Sequence, residues 1–199
     1  MSTPRAPSVE LDWLLVGGGV HGVHLGVRLL DEGAVAAERL AIVDPSPRLL
    51  HRWHACTAVT GMRHLRSPAV HNLDGDAFSL LRYARRRRPG ERGQFAPPYD
   101  RPSLDLFGAH AEAVIERHGL ARRHLQDRVV AMSVADDGVR AQLASGMVLE
   151  ARRAILALGA SDDPQWPSWA PRGHERVQHV FAETERSWPP EERRRVAVV

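Results

Sequence analysis

The chain has 199 residues, of which 43% are hydrophobic, enough for one globular domain and part of another. Its single cysteine, Cys56, excludes an internal disulfide and a paired-cysteine redox centre, and we expect a cytoplasmic location. The formal net charge of +3 arises from 27 arginines, without any lysine, dispersed among 24 acidic residues. That balance favours neither nucleic acid nor membrane as a partner.

After a predicted flexible lead over residues 1–10, the first predicted elements lie between Leu11 and Asp44. An apolar strand leads into Gly17-Gly18-Gly19-Val20-His21-Gly22, which is a G-x-G-x-x-G sequence. Apolar residues then recur at helical spacing up to Leu30, and a second apolar strand ends in Asp44. Strand, glycine turn, helix, strand and acid follow the order of a dinucleotide-binding unit.

Each glycine of this turn has a predicted task in binding a cofactor. Gly17 permits the tight turn out of the strand, Gly19 lets a pyrophosphate approach the backbone, and Gly22 lets the helix pack closely. The helix start at Val20 and His21 offers backbone N–H groups and a partial positive charge to phosphates. The alternative is a glycine-rich turn in another kind of α/β protein.

Asp44 lies 22 positions after Gly22, where its carboxylate can accept hydrogen bonds from ribose hydroxyls. A 2′-phosphate would be repelled there. The adenosine half is therefore predicted to be unphosphorylated, as in FAD or NAD.

The middle of the chain combines long loops with two predicted helices. The segment from Arg48 to Leu73 is irregular and carries aromatic and histidine side chains, which is typical of a site loop. Helices are predicted over Asp76–Arg87 and Leu104–His118, the second capped by Ser103. The dense arginines 85–88 are interpreted as a solvated turn, with a contact to an anionic ligand or partner as the alternative.

The last third predicts an antiparallel β-meander over Arg128–Ala135, Val139–Leu143 and Met147–Glu150. A wholly apolar run, Ala154 to Gly159, then predicts a separate strand that rejoins the parallel sheet, buried on both faces. Residues 171–199 are expected to be a linker and the start of a truncated second nucleotide-binding domain, because Val196–Val199 resembles a strand entry. The alternative is a final strand at the edge of the first sheet.

The whole order resembles the FAD domain of flavoproteins with two dinucleotide-binding domains, with Ala157-Leu158-Gly159 at the position of their Ala-Thr-Gly. The middle segment is similar to the flavin loop of the ornithine and lysine N-hydroxylases, which are flavin monooxygenases. The similarity rests on Trp53-His54, Met62, Leu65-Arg66-Ser67-Pro68 and Phe78-Ser79-Leu80. The chain departs from that family at Arg63, where a glutamine is usual, and in having no lysine to bind the amino-acid substrate.

The resemblance implies an α/β, Rossmann-like FAD-binding domain (residues 11–170) with a central parallel sheet, flanking helices and a β-meander. It implies FAD as cofactor, NADPH or NADH as reductant, and a small-molecule substrate of unknown identity. The cofactor-binding residues it adds are Trp53, His54, Met62, Arg63, Val130 and Gly159. Trp53 has the alternative of a core aromatic, and His54 that of an ordinary loop residue.

Three functions remain open. The first is the FAD-binding portion of an NAD(P)H-dependent flavin oxidoreductase or monooxygenase, N-hydroxylase-like in pattern. The second is a disulfide-reductase-type flavoprotein, against which the single cysteine argues. The third is a non-catalytic FAD- or NAD-binding module, or a fragment without independent activity. No catalytic side chain and no metal site is predicted, since the cofactor would supply the chemistry, and an oligomer is left open.

Overall fold

The computed structural model describes residues 9–87, 89–90, 92–159, 165–174, 177 and 179–181. Four α-helices are present in these ranges: α1 (Val20–Asp31), α2 (His51–Val59), α3 (Ser79–Arg87) and α4 (Leu104–Arg117). Two short 3-10 helices cover Ala37–Arg39 and Leu120–Arg123. The strands are β1 (Val9–Val16), β2 (Leu40–Asp44), β3 (Phe95–Ala96), β4 (Arg101–Pro102), β5 (His124–Gln126), β6 (Val129–Ala135), β7 (Gly138–Leu143) and β8 (Val148–Leu156). The strand that we predicted at Val196–Val199 and most of the lead lie outside the described residues.

One mixed sheet of six strands, in the order β5-β2-β1-β8-β7-β6, organises the domain. The first four are mutually parallel, and β7 and β6 continue the sheet in antiparallel orientation. The helices lie between the parallel strands in the chain, because parallel neighbours need a crossover connection, which is usually helical. The predicted α/β fold with a central parallel sheet and a meander is therefore confirmed.

Strand β8 corrects the prediction of two separate strands. A single strand pairs antiparallel with β7 through Leu149 and Ala151 and parallel with β1 up to Leu156. The predicted burial of the run on both faces is also wrong, since Leu156 and Leu158 are 59% and 64% exposed. The reason is that the two hydrophobic cores reach along β8 only as far as Ala154 and Ile155.

Two hydrophobic cores form because neighbouring residues of a strand face opposite sides of the sheet. Leu15 and Ile42 face the helices and pack with Val23, Val27 and other side chains of the larger cluster. The adjacent Leu14 and Val43 belong to the second cluster. That cluster also contains Ala141, Leu143, Leu149 and Ala151 of the meander. The nucleotide-type β-α-β unit is thus packed on both faces.

All three predicted helices are confirmed, and one further helix was missed. The Ser103 hydroxyl accepts a hydrogen bond from Leu106 N at 3.2 Å, the predicted cap of α4. The helix predicted from Asp76 begins three residues later, at Ser79, because Asp76 caps the turn through Phe78 N at 2.8 Å. Helix α2 lies in the first half of the segment 48–73 that we predicted to be irregular.

Among the helices that the structure describes, none has the length and hydropathy needed to cross a membrane.

Candidate functional site

The candidate site lies where the parallel strands end at their carboxyl termini. Gly17 N donates to Val43 O at 2.8 Å, and Ala157 N donates to Val16 O at 2.8 Å, so β1, β2 and the residues after β8 meet at the glycine turn. Such an edge, followed directly by a helix N-terminus, is where open α/β sheets bind ligands.

Two glycines of the turn are required by the space around them. Gly17 has a φ of +112°, and a Cβ on it would lie 2.3 Å from Ala157 O. A Cβ on Gly22 would lie 1.9 Å from Gly17 O. No side chain can occupy either position without moving backbone, as expected if the helix must pack closely against the turn.

Gly19 has the opposite surroundings, since a Cβ there would meet no atom within 4 Å. It is the N-cap of α1, and neither a side-chain cap nor an acidic side chain occupies the first turn at Val20 and His21. The amide groups at this helix start therefore face no competing carboxylate of their own turn. A helix start of this kind, open at the glycine, suits the phosphates of a dinucleotide.

Asp44 lies against this turn and is fixed by two backbone hydrogen bonds. Its Oδ2 accepts from Gly18 N at 2.7 Å, and its Oδ1 accepts from Ser46 N at 2.8 Å. A carboxylate has about four acceptor positions. Asp44 therefore keeps acceptor capacity for ribose hydroxyls while holding the turn in place.

The chain after β2 closes onto the same turn, which the sequence did not predict. Leu50 N donates to Gly18 O at 2.8 Å, and Leu50 itself has a φ of +61° while being 1% exposed. A Cβ on Gly18 would lie 2.8 Å from Leu49 Cδ2. Asp44 and the turn are thus held together by contacts with Gly18, Ser46 and Leu50. In the sequence, only the run of three consecutive glycines indicated such close packing.

Two predicted cofactor contacts lie further along this edge. Gln126 of β5 pairs with Asp44, and Asp127 N donates to Asp44 O at 3.2 Å, so the chain leading to Val130 passes beside the acid. Val130 is 56% exposed and lies at a register shift in β6. Gly159 is exposed with a φ of +66°, and a Cβ added to it would meet no atom within 4 Å.

Trp53 and His54 lie on α2 rather than on a loop. The Trp53 ring is 5.1 Å from Phe107 of α4 and packs against the larger core, which agrees with the alternative of a core aromatic. The His54 ring lies 4.9 Å from that of Trp53, and its pKa is lowered by burial and by the nearby Arg48. The two residues follow Leu50, whose N–H donates to Gly18 O, by three and four positions.

Met62 and Arg63 follow α2 in an irregular segment. Arg63 O accepts from Leu104 N at 2.9 Å, which ties this segment to the start of α4. The Arg63 side chain is exposed and that of Met62 half-buried. Contacts of Trp53, His54, Met62 and Arg63 with a flavin remain predictions.

A group of potential metal ligands lies elsewhere, at the ends of α1 and α4. Side-chain atoms of Asp31, Asp74 and His118 come within 4.8 Å of one another. The structure already supplies partners for these groups: His118 Nε2 lies 2.9 Å from Asp31 Oδ1, and Arg117 Nη2 lies 2.6 Å from Asp74 Oδ2. Ion pairing inside the chain accounts for the arrangement.

Comparison with solved structures gives flavin monooxygenases of much greater length. The chain is similar to the polycyclic ketone monooxygenase of Thermothelomyces thermophila, with 18% identity, a TM-score of 0.58, and coverage of 85% of this chain and 26% of that one. A cyclohexanone monooxygenase mutant from Rhodococcus sp. Phi1 bound to NADP+ is 16% identical, with a TM-score of 0.57 and coverage of 82% of this chain and 29% of that one. The OTEMO complex with FAD and NADP is 13% identical, with a TM-score of 0.55 and coverage of 84% of this chain and 29% of that one.

These likenesses establish a shared fold, and the chain spans less than a third of each of those proteins. No curated protein matches the sequence. A family model described as FAD-NAD(P)-binding matches residues 14–161, which include the glycine turn, Asp44, the meander and Gly159. The predicted class of cofactor, a flavin or nicotinamide dinucleotide, is thereby confirmed, and the chain belongs to the FAD-NAD(P)-binding family.

Proposed function

We propose that this chain is the FAD-binding portion of an NAD(P)H-dependent flavin monooxygenase. The observation that carries the proposal is the cradle at Gly19, which is open at an uncapped helix start beside the anchored carboxylate of Asp44. Membership in the FAD-NAD(P)-binding family supports it, as does a fold shared with two monooxygenases and with OTEMO in complex with FAD and NADP.

Different residues at the glycine turn bind different parts of the adenine dinucleotide. The amides at the start of α1 bind the pyrophosphate, and Asp44 accepts hydrogen bonds from the ribose. Asp44 would repel a 2′-phosphate, which favours FAD over NADP at this turn. Bound FAD supplies the redox and oxygen chemistry, and the protein holds and shelters it.

Within this class, the residues favour an N-hydroxylase-like enzyme acting on a nucleophilic nitrogen. The support is the similarity of Trp53-His54, Met62 and the segment 65–68 to the flavin loop of those enzymes. Arg63, exposed in this segment, would place a positive charge near the reduced flavin. Oxygen insertion into a ketone, the activity in the names of two structural relatives, is the other outcome to test.

The competing proposal is a dinucleotide-binding module without activity. It is supported by the fact that the 199 residues contain one G-x-G-x-x-G. Both proposals require a bound dinucleotide.

The decisive measurement is the cofactor content of the purified chain. We expect yellow protein whose flavin absorbance is released by denaturation, and saturable FAD binding with NADPH binding at least tenfold weaker. Colourless protein that FAD does not reconstitute would contradict the proposal. Assays of flavin-loaded protein with an amine and with a ketone, in the presence of NADPH, then separate the two oxygenation reactions.

A further inference from the structure

Strand β6 lies at one edge of the six-stranded sheet, and within the described part of the chain its one neighbouring strand is β7. The strand at the opposite edge, β5, has only three residues, and shortness protects an edge from pairing with another chain. Strand β6 has seven residues and includes neither a charged residue nor a proline. It therefore lacks the devices by which natural proteins usually prevent pairing at an open edge.

The backbone groups that face this open edge follow from the neighbouring strands. Leu143 N donates into the turn that leads to β8, and backbone groups alternate in direction along an antiparallel strand. Arg140, three residues before Leu143, therefore faces β6, where it is paired with Ser133. By the same alternation, Met132 and Val134 direct their N–H and C=O groups away from β7 and towards the open edge.

The side chains of the same two residues are apolar and accessible. Met132 is paired with Ala141, which is fully buried in the second hydrophobic cluster, and Val134 lies two residues further along the same face. Met132 and Val134 are nevertheless 39% and 88% exposed. They extend an apolar face to the border of the sheet, where another strand could cover it.

The two ends of β6 carry opposite charges. Arg128, before the strand, is exposed, and so are Asp136 and Asp137 in the turn after it. Hydrogen bonds from Ser145, in the turn after β7, lower the pKa of Asp127, so that this carboxylate faces that turn and not the open edge. A second copy of β6 in antiparallel orientation would therefore place the arginine of each copy beside the acidic turn of the other.

We propose that β6 pairs antiparallel with β6 of a second copy of this chain, around a two-fold axis at Ser133. Ser133 then lies opposite its own counterpart, and Met132 lies opposite Val134 of the second copy. These last two residues exchange backbone hydrogen bonds across the axis and cover each other's side chains. Symmetry forms the contact between Arg128 and the acidic turn twice.

A bulge near the start of β6 restricts the regular pairing to residues 131–135. Val130, a predicted cofactor contact, lies at this register shift and so outside the paired segment. At about 3.3 Å per residue the paired segment is roughly 17 Å long. Such a contact belongs to the small class of interfaces, so we expect a dimer that forms and dissociates with concentration.

Sedimentation velocity over a series of protein concentrations tests the association. We expect a dimer that Val134→Lys weakens at least tenfold, because a lysine on an edge strand opposes pairing with another chain. Val70→Lys, the same change at an exposed valine outside the sheet, should alter the affinity less than twofold. A monomer at every concentration, or equal losses in both variants, would overturn the proposal.

Reversal of the charges tests the antiparallel orientation. Arg128→Glu should weaken the dimer at least fivefold, because it places an acid beside the acidic turn of the second copy. Adding Asp136→Arg and Asp137→Arg to the same chain should restore the affinity to within twofold of the unchanged protein. A combined variant that folds, as judged by circular dichroism, but does not regain the dimer would overturn this orientation.

A disulfide tests the register in a Cys56→Ser background. Ser133→Cys would face its own counterpart in a non-hydrogen-bonded pair, whose Cα atoms are about 4.5 Å apart, a distance that a disulfide can span. Ala131→Cys, two residues away on the same strand, would lie opposite position 135 and far from its own counterpart. We expect at least fivefold more covalent dimer from Ser133→Cys under mild oxidation, and equal yields would overturn the proposed pairing.

Discussion

At the residue scale, the carboxylate of Asp44 supports the glycine turn at which we propose that the cofactor binds. Both oxygens already accept backbone N–H groups, from Gly18 and from Ser46. Removing the carboxylate therefore leaves two amide donors without their acceptor and would remove the proposed ribose contact at the same time.

We predict that Asp44→Ala weakens FAD binding by about 1.5–3 kcal/mol, the usual worth of a hydrogen bond to a charged group. Equilibrium titration followed by flavin fluorescence measures the change. Asp136→Ala, an exposed acid in the turn between β6 and β7, is the matched control and should bind FAD normally. Unchanged affinity in Asp44→Ala would show that the ribose has another partner.

Gly22 allows a second prediction because α1 offers a matched control one turn later. In Gly22→Ala the added Cβ would lie 1.9 Å from Gly17 O, so the helix must move away from the turn. We expect FAD binding to fall by more than tenfold and the protein to be destabilised.

The control for Gly22→Ala is Gly26→Ala, where the nearest atoms are side-chain carbons of Leu120 and Leu15 at 3.4 Å. Alanine there gains about 0.5–1 kcal/mol of helix preference and should retain FAD binding. Thermal unfolding with and without FAD measures both variants. Equal behaviour of the two would mean that close packing at Gly22 is not needed.

The sequence located the residues whose role depends on local order, and it missed those whose role depends on distant partners. Gly17, Gly22 and Asp44 follow from a spacing within one β-α-β unit. The support from Leu50 and the hydrogen bond between Ser79 and His110 could not be predicted, since Ser79 and His110 are 31 positions apart and meet only when α3 packs on α4. The helix that carries Trp53 was missed because neither helical spacing nor a capping residue marks α2, whose N-cap is a leucine.

At the scale of elements, the stability of the contact between α3 and α4 is expected to depend on pH. Burial lowers the pKa of His110 from its usual 6.5 to about 4, so on acidification the unfolded chain takes up this proton before the folded chain does. The stability that His110 contributes is complete above pH 6.5 and is lost as the pH falls towards 4. Burial would raise the pKa of Asp74, but hydrogen bonds from Ser79 and Arg117 outweigh burial and hold that pKa at about 2, which extends the loss below pH 3.8.

We therefore predict that the free energy of unfolding falls by about 3 kcal/mol between pH 7 and pH 4 through His110, on the basis of 1.36 kcal/mol per pKa unit. Urea unfolding at several pH values measures it. His110→Gln should be less stable at pH 7 and should lose most of this slope, while His71→Gln, at an exposed position, should retain it. The same slope in all three proteins would show that His110 is not the titrating group.

At this scale, the elements that could be predicted best are those with a regular spacing of apolar residues. Helix α4 was predicted within one residue because its apolar stripe and its cap at Ser103 agree. The continuity of β8 was hidden, because Arg152 and Arg153 interrupt the apolar residues and look like a break between two strands. They remain in the ladder, with Arg153 paired to Trp13 and its guanidinium 5.3 Å from that ring.

At the scale of the whole molecule, we expect this chain to bind the cofactor without catalysing turnover. The sequence offers one glycine turn of the dinucleotide type, and this chain spans less than a third of the similar monooxygenases. We predict that the 199-residue chain binds FAD but oxidises NADPH no faster than a protein-free control, measured by the loss of NADPH absorbance. Saturable NADPH oxidation by the chain alone would contradict this prediction.

The contact between Gly17 and Ala157 also affects the order in which the site can form during synthesis. The G-x-G-x-x-G leaves the ribosome early, whereas Ala157, which lies against the turn, follows 140 positions later. Strand β1 obtains its second neighbour only when β8 emerges. Contacts this distant in sequence slow folding. A nascent chain stalled before Val148 therefore carries the complete motif without β8 beside it, and we expect it not to bind FAD.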